Sequence, residues 1–557
     1  MNILHILLRR DLYDAFHTAL DLSRHLNRNA CNSILASSLD DKVLHPIAID
    51  LTYHKVAQFE TDIKDFFATY RTLKNLIKTT AIDIVHVHSM SGLWLAALLC
   101  RNTGARLAVS CYNFQAKSIL NQGLILADKI IVHNEAVGRQ IVSNFRLSPQ
   151  KVKYINPVLD IGNFNFQGID ERSKTDFHIG VIPSLKPDTG YEYFLKAMVK
   201  LVRIIPYVKV SVLVSPSQSR KNIKEDLAFW MRRLGLSNYV EFIDKSGMDL
   251  KFISKFNLLI YAPIIENALT RIVLEAQAYG VPVIAGHVAG ISQLILDNKT
   301  GVLIPPRDNA FLTNAIIKVL KEFSFTREIT LAARKRAEDE FCVDRNINAF
   351  IDTYNELKNK KNILVIDLGG TNDVVSAVPA LNLLRKNMPQ AEITALVSSD
   401  LRCLLQRCPY INELVTYDIS RRKDLFYFLN IVRLIIEKRF DMVFDFDSNL
   451  KSQVIAFLSL SNNRYGYRNK FLGFLINKYT QRPVLPKGLA DDKLSIVESL
   501  VKDKGSYKLE LWPSQEEINF IDGFFQSNWI GKEKVAVIDT SLKRGFLVQK
   551  KTIACQA

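Results

Sequence analysis

The stretch most suited to chemistry is Glu266-Asn-Ala-Leu-Thr-Arg-Ile-Val-Leu-Glu-Ala-Gln-Ala-Tyr-Gly-Val-Pro-Val-Ile-Ala285, followed by Gly290 and by Lys299-Thr-Gly-Val-Leu-Ile-Pro-Pro306. It reads as a helix start, a helix bearing Glu275, a stop at Gly280 and a buried strand. Exposed amides at a helix start hold a diphosphate, and a carboxylate one or two turns further on accepts both hydroxyls of a ribose. The same pattern also suits an ordinary strand-loop-helix unit with a solvated glutamate. His86 and His88 form a second group, expected to alternate along a strand with one facing each side. Core packing, hydrogen bonding and contact with a cleft are all open to them. Asp445-Phe-Asp447 has the spacing of a metal-binding Asp-x-Asp, although a solvated strand end after Asp441-Met-Val-Phe444 is the stronger expectation.

These residues need a scaffold, and apolar strand-like runs alternate with amphipathic helical stretches along the whole chain. Ile82-Asp-Ile-Val-His-Val-His88, Lys129-Ile-Ile-Val-His133, Val208-Lys-Val-Ser-Val-Leu-Val214 and Val281-Pro-Val-Ile-Ala285 are examples. The rhythm predicts an α/β protein of parallel sheets wrapped by helices. At 557 residues the chain suits three or four domains. We place a first Rossmann-like domain at 1–170, a second at 171–340, a closing helix and linker at 341–361, and a third Rossmann-like domain at 362–557.

Composition narrows the classes. Apolar residues make up 48% and charged residues 23%, which excludes collagen-like and wholly disordered chains. No apolar run approaches the roughly 20 residues of a membrane-spanning helix. The amino terminus carries its charge after the apolar stretch rather than before it, so a cytoplasmic protein is expected, peripheral on the membrane face at most. Seven scattered cysteines show no metal-ligand spacing and are expected to be reduced thiols. The net charge of +17 points to an anionic partner. All ten histidines precede residue 300, so the third domain has no histidine base or ligand.

The segment 266–306 resembles the donor site of the group 1 retaining glycosyltransferases. Their GT-B fold clamps a nucleotide sugar between two Rossmann-like domains. Asp83-Ile-Val-His-Val-His-Ser89 with Trp94, Ala127-Asp-Lys-Ile-Ile-Val132 and Gly190-Tyr-Glu-Tyr-Phe194 extend the resemblance over about residues 1–358. It implies a nucleotide-sugar donor, retention at the anomeric carbon, and no metal or other cofactor. By the same resemblance Glu275 would hold the ribose and Asn267 the donor sugar, with Lys186 or Arg271 on the phosphates and Gly290 in the donor site. His88 and Tyr112 would lie on the acceptor side. The chain departs from the family pattern at several positions. A glutamate usual eight residues before Glu275 is Asn267, two usual cations fall on Ser184 and Thr189, a usual histidine is Tyr112, and a late glutamate is Gln293.

Asp367-Leu-Gly-Gly-Thr371 resembles the phosphate loop of sugar kinases, but the residues after it, 373–385, have helical rather than strand spacing. Residues 362 to about 545 are instead similar to the amino-terminal half of the lipopolysaccharide heptosyltransferases. Asn372-Asp-Val-Val, Pro379-Ala-Leu381, Ala391-Glu-Ile-Thr-Ala-Leu-Val397, Arg439-Phe-Asp-Met-Val-Phe-Asp445 and Arg464-Tyr-Gly-Tyr467 carry the likeness. It implies Asp373 as a base toward an acceptor hydroxyl, where the residue alone reads equally as a helix N-cap. The strand Lys534-Val-Ala-Val-Ile538 would lead into a donor domain that is expected to be missing.

The functional expectation is therefore a metal-independent, retaining glycosyltransferase of envelope polysaccharide or lipopolysaccharide assembly, acting on a lipid-linked acceptor. The alternative is a catalytically degenerate binding or scaffolding remnant of a glycosyltransferase-heptosyltransferase fusion. The basic, aromatic stretches beginning at Arg421 and Arg464 suit an anionic membrane surface or a phosphorylated acceptor, and equally a solvated basic face. No nucleic-acid partner is expected.

Overall fold

The computed structural model describes residues 1–8, 13–39, 48, 50–57, 63–112, 122–168, 176–182, 191–214, 228–244, 251–261, 271–288, 290–421, 424–468, 472–481, 490–501 and 508–527. Three parallel sheets follow one another along the chain. The first contains β1 (Asn2–Leu7), β2 (Asn32–Ser37), β3 (Thr52–Lys55), β4 (Ile84–Val87), β5 (Arg106–Cys111), β6 (Lys129–Val132) and β7 (Val152–Tyr154), in the order β3-β2-β1-β4-β5-β6-β7. The second contains β8 (His178–Ile182), β9 (Lys209–Val214), β10 (Val240–Asp244), β11 (Leu258–Tyr261), β12 (Val283–Gly286) and β13 (Val302–Ile304), in the order β10-β9-β8-β11-β12-β13. The third contains β14 (Asn362–Asp367), β15 (Glu392–Ser398), β16 (Glu413–Tyr417), β17 (Met442–Asp445), β18 (Asn463–Tyr467) and β19 (Lys478–Thr480), in the order β16-β15-β14-β17-β18-β19.

Each sheet starts at its centre, runs to one edge and then returns to the other side of its first strand. The strand order reverses between β1 and β4, between β8 and β11, and between β14 and β17. A crevice at the carboxyl ends of those strands is where doubly wound sheets bind ligands. Near-continuous apolar runs form the strands because helices cover both faces. In β4 all four residues are buried.

By compactness the chain falls into two units. One comprises residues 1–362 with 426–442 and 455–463, and the other is built on the third sheet. Within the first unit, helix α1 (Tyr13–Arg28) packs against β1 and β2. Helix α2 (Arg271–Tyr279) is the crossover from β11 to β12, and all nine of its residues are buried. It stops at Gly280, where φ is +76° and a Cβ would stand 2.5 Å from the Gln167 carbonyl oxygen, so only glycine fits. Helix α3 (Val343–Asn359) returns to the first sheet, burying Val343, Ile347, Phe350, Tyr354 and Leu357 in one cluster with Ile3, Leu22, Ile84 and Ile131. In the third sheet's unit, helix α4 (Thr371–Ser376) follows β14 and helix α5 (Asp491–Glu498) lies later in the chain. Among the described residues no helix is long and apolar enough to cross a membrane.

Candidate active site

Arg271 opens α2, and Glu275 follows one helical turn later on the same face. The Arg271 Nε donates to Glu275 Oε1 at 2.8 Å, and its Nη2 donates to Asp21 Oδ2 of α1 at 2.7 Å. Nη1 donates to the main-chain oxygen of Val158 at 3.2 Å, and the Arg271 main-chain N–H donates to Asp14 Oδ2 at 3.3 Å. Arg271, Glu275, Asp21 and Asp14 are all buried, at 5% exposure or less. Ionised groups removed from water persist only when paired and hydrogen-bonded, and the planar guanidinium meets both carboxylates at once. Glu275 is therefore not the solvated glutamate of an ordinary unit, because all nine residues of α2 are buried and its carboxylate is paired with Arg271.

The structure brings Arg271 and Glu275 together and adds two carboxylates that sequence reasoning missed. Asp21 lies 250 positions from Arg271, and nothing local in the sequence marks it as a partner. Gly290 is buried in a turn after β12, where Gln293 leaves Oε1 without a hydrogen bond among the described residues. Lys186 and Asn267, like Ser184 and Thr189, lie outside the described residues.

His88 and Tyr112 also meet, with His88 Nδ1 and Tyr112 Oη 2.9 Å apart. His86 and His88 do not face opposite sides as expected: their ring centroids are 4.1 Å apart. Residues two apart in a strand share a face, and the period of two requires what is observed. His5 joins them from β1, with Nδ1 2.9 Å from His88 Nε2. His86 Nδ1 contacts Tyr354 Oη at 2.8 Å, and its Nε2 contacts Ser110 Oγ at 2.9 Å. Burial pushes His5 down to about 3 and holds His86 and His88 well below the usual histidine range, so all three imidazoles are neutral near pH 7. Burial also raises the Tyr112 phenol above its usual range.

In the third sheet's unit, Asp373 is the third residue of α4 rather than its N-cap. Its Oδ2 accepts from the Gly370 N–H at 2.9 Å, which is the reaching-back half of a capping box. The ammonium of Lys493, on α5, meets the Asp367 carboxylate and the main-chain oxygen of Asp373. Burial raises the Asp367 carboxyl despite that lysine. Asp445 is fully buried, not a solvated strand end, and burial pushes its carboxyl up to about 7. Asp447 rises to about 6, first through burial and then through the Asp367 charge. These groups gather at the carboxyl ends of β14 and β17, where the strand order reverses.

Comparison with known proteins resolves the class of the first two sheets. Residues 16–162 match the family described as Glycosyltransferase Family 4, and residues 176–322 match the family described as Glycosyl transferases group 1. These segments are glycosyltransferase domains. The glycosyltransferase domains are similar to the D-inositol 3-phosphate glycosyltransferase of Mycobacterium sp. (strain KMS), at 30% identity over 33% of this chain and 42% of that protein. They also resemble the enzyme of the same name from Geodermatophilus obscurus, at 24% identity over 49% of this chain and 66% of that one. The chain thus spans about half the length of the curated relatives it matches.

Among solved structures, a glycosyltransferase from Rickettsia africae superimposes with TM-score 0.53 at 18% identity, covering 64% of this chain and 98% of that one. Anabaena Alr3699/HepE, solved with UDP and glucose, superimposes with TM-score 0.54 at 16% identity, covering 64% and 100%. At such identities the likeness is one of fold, and it establishes the GT-B arrangement of parallel sheets in Rossmann-like domains.

Proposed function

We infer that the first two domains transfer a sugar from a nucleotide-sugar donor to an envelope polysaccharide or lipopolysaccharide acceptor, with retention and without a metal at the diphosphate. The observation that carries this reading is the buried Glu275 carboxylate, oriented by Arg271 on the helix that leaves β11, inside the segment matched by the group 1 family. A carboxylate so fixed loses little freedom on accepting two ribose hydroxyls. Arg271 already spends three of its donors within the protein, so it acts here as the orienting group of Glu275. Charge for the phosphates then falls to Lys186, with Asn267 toward the donor sugar. His88 and Tyr112, joined by one hydrogen bond, serve the acceptor side.

We assign the transfer chemistry to the first two domains, because in the third the Asp373 carboxylate is engaged as a helix cap by the Gly370 N–H. Arg464 is buried in β18 and donates to the Leu475 main-chain oxygen, so of the two basic stretches the exposed Arg421 and Arg468 are left to face an anionic membrane or a phosphorylated, lipid-linked acceptor. The test is sugar turnover across a panel of nucleotide sugars in the presence of excess EDTA. Transfer that persists in chelator supports the reading, and an absolute requirement for a divalent ion contradicts it. Saturable nucleotide binding with no turnover on any acceptor would favour a binding or scaffolding role.

A further inference from the structure

We propose that His5, His86 and His88 form an interior binding site for one divalent transition-metal ion of the zinc type, within the first sheet and apart from the donor residues on α2. The strand register creates the site. His5 of β1 is paired directly with His86 of β4, and His88 follows two residues later, so three imidazoles stand on one face of neighbouring parallel strands. One ring nitrogen from each lies within 4.8 Å of the others. Nitrogens sharing a tetrahedral zinc at about 2.0–2.1 Å stand roughly 3.4 Å apart, so modest ring movements close the set.

Three further observations point the same way. The rings are fully buried, with exposures of 0%, 0% and 1%, so an ion among them would be held away from bulk water. Among the described residues His5 Nε2 has no hydrogen-bond partner, a polar atom that an apolar core would not leave exposed to so little compensation. Outer partners are already in place, since a ligating histidine uses one nitrogen while the other is oriented by a neighbour. Tyr112 occupies that position for His88. His86 contacts both Tyr354 and Ser110, so one of those contacts gives way to the ion while the other orients the ring, and the His5–His88 contact is replaced by shared coordination. An all-imidazole set suits zinc, nickel or copper rather than magnesium or calcium. Such an ion would tie β1 to β4 and, through Tyr354, to α3. This role is separate from the diphosphate, so the donor chemistry stays metal-independent; His88 would then hold the ion and leave the acceptor side to Tyr112.

The test uses the untagged full chain, stripped with chelator, dialysed into metal-free buffer and titrated with Co2+ and then Zn2+. The expected result is one Co2+ per chain with the visible absorption of a tetrahedral nitrogen site, displacement by Zn2+, and a higher melting temperature when loaded. X-ray absorption on the wild-type ion should show imidazole scattering, a readout that needs no variant. His5→Gln and His88→Gln should each weaken binding by about tenfold or more. His133→Gln, whose ring lies 5.0 Å from Tyr112 but outside the trio, should leave binding unchanged. A chain that takes up no ion, a sulfur ligand in the absorption spectrum, or an affinity indifferent to both substitutions overturns the site. The three histidines would then be a hydrogen-bonded network alone.

Discussion

The guanidinium of Arg271 stands 2.7 Å from the carboxylate of Asp21, so a helix of the second sheet is ion-paired to a helix of the first. Both side chains are about 5% exposed, and the same guanidinium holds Glu275 at 2.8 Å. Removing one member of a buried pair leaves the other charge uncompensated, at a cost of about 3 to 5 kcal/mol. Asp21→Asn should therefore lower the stability of the first unit by that order in urea titrations. Arg271→Met should cost at least as much, because it strands two carboxylates. A double-mutant cycle should show coupling between the two positions, and strict additivity would contradict the pair.

Gly280 ends the helix that carries Glu275, at φ +76° and with no room for a Cβ against the Gln167 carbonyl. Gly280→Ala should destabilise the protein by about 1 to 3 kcal/mol through left-handed strain, with more from the clash. Thermal melting checks this. A melting temperature equal to wild type would contradict the left-handed, glycine-only conformation at position 280.

How much could be read from the sequence depended on distance along the chain. The alternation of apolar runs was enough to give three parallel α/β sheets, and the four-residue spacing of Arg271 and Glu275 placed them on one helical face. Asp21 escaped notice because its partner is 250 residues away, and His5 because only the pairing of β1 with β4 brings it beside His86. The expectation that His86 and His88 face opposite sides misapplied the strand period. Asp445 was expected in solvent because a strand end does not reveal what covers it. An N-cap role for Asp373 fails because Gly370 holds that place and Asp373 lies three residues further along.

Asp445 gives the third domain a pH-dependent stability. Its carboxyl titrates near 7 when folded, against roughly 3.9 when unfolded, so the folded state holds the extra proton between those values. Stability is then fully present below about pH 4 and is lost as pH rises through about 7, by up to about 4 kcal/mol. Asp447, nearer the surface, shifts in the same direction. Asp445→Asn should flatten this dependence in chemical denaturation followed across pH. A wild-type domain that gains stability between pH 5 and 8 from this carboxyl would contradict the assignment.

The division of labour between domains predicts opposite outcomes for two conservative substitutions. Asp373→Asn should leave sugar transfer by the full chain nearly unchanged and cost about 1 kcal/mol of helix capping at most. Glu275→Gln should depress transfer strongly while the fold survives. If the aspartate change abolishes transfer and the glutamate change is silent, catalysis belongs to the third domain and the allocation is inverted.

The central claim is that Glu275 belongs to a nucleotide-sugar site, and calorimetric titration of the full chain with UDP, GDP and ADP and their sugars tests it most directly. The predicted result is saturable binding of one nucleotide per chain that Glu275→Ala abolishes while circular dichroism and melting show a folded protein. Absence of binding by every nucleotide, or binding of equal strength in wild type and Glu275→Ala, would contradict it.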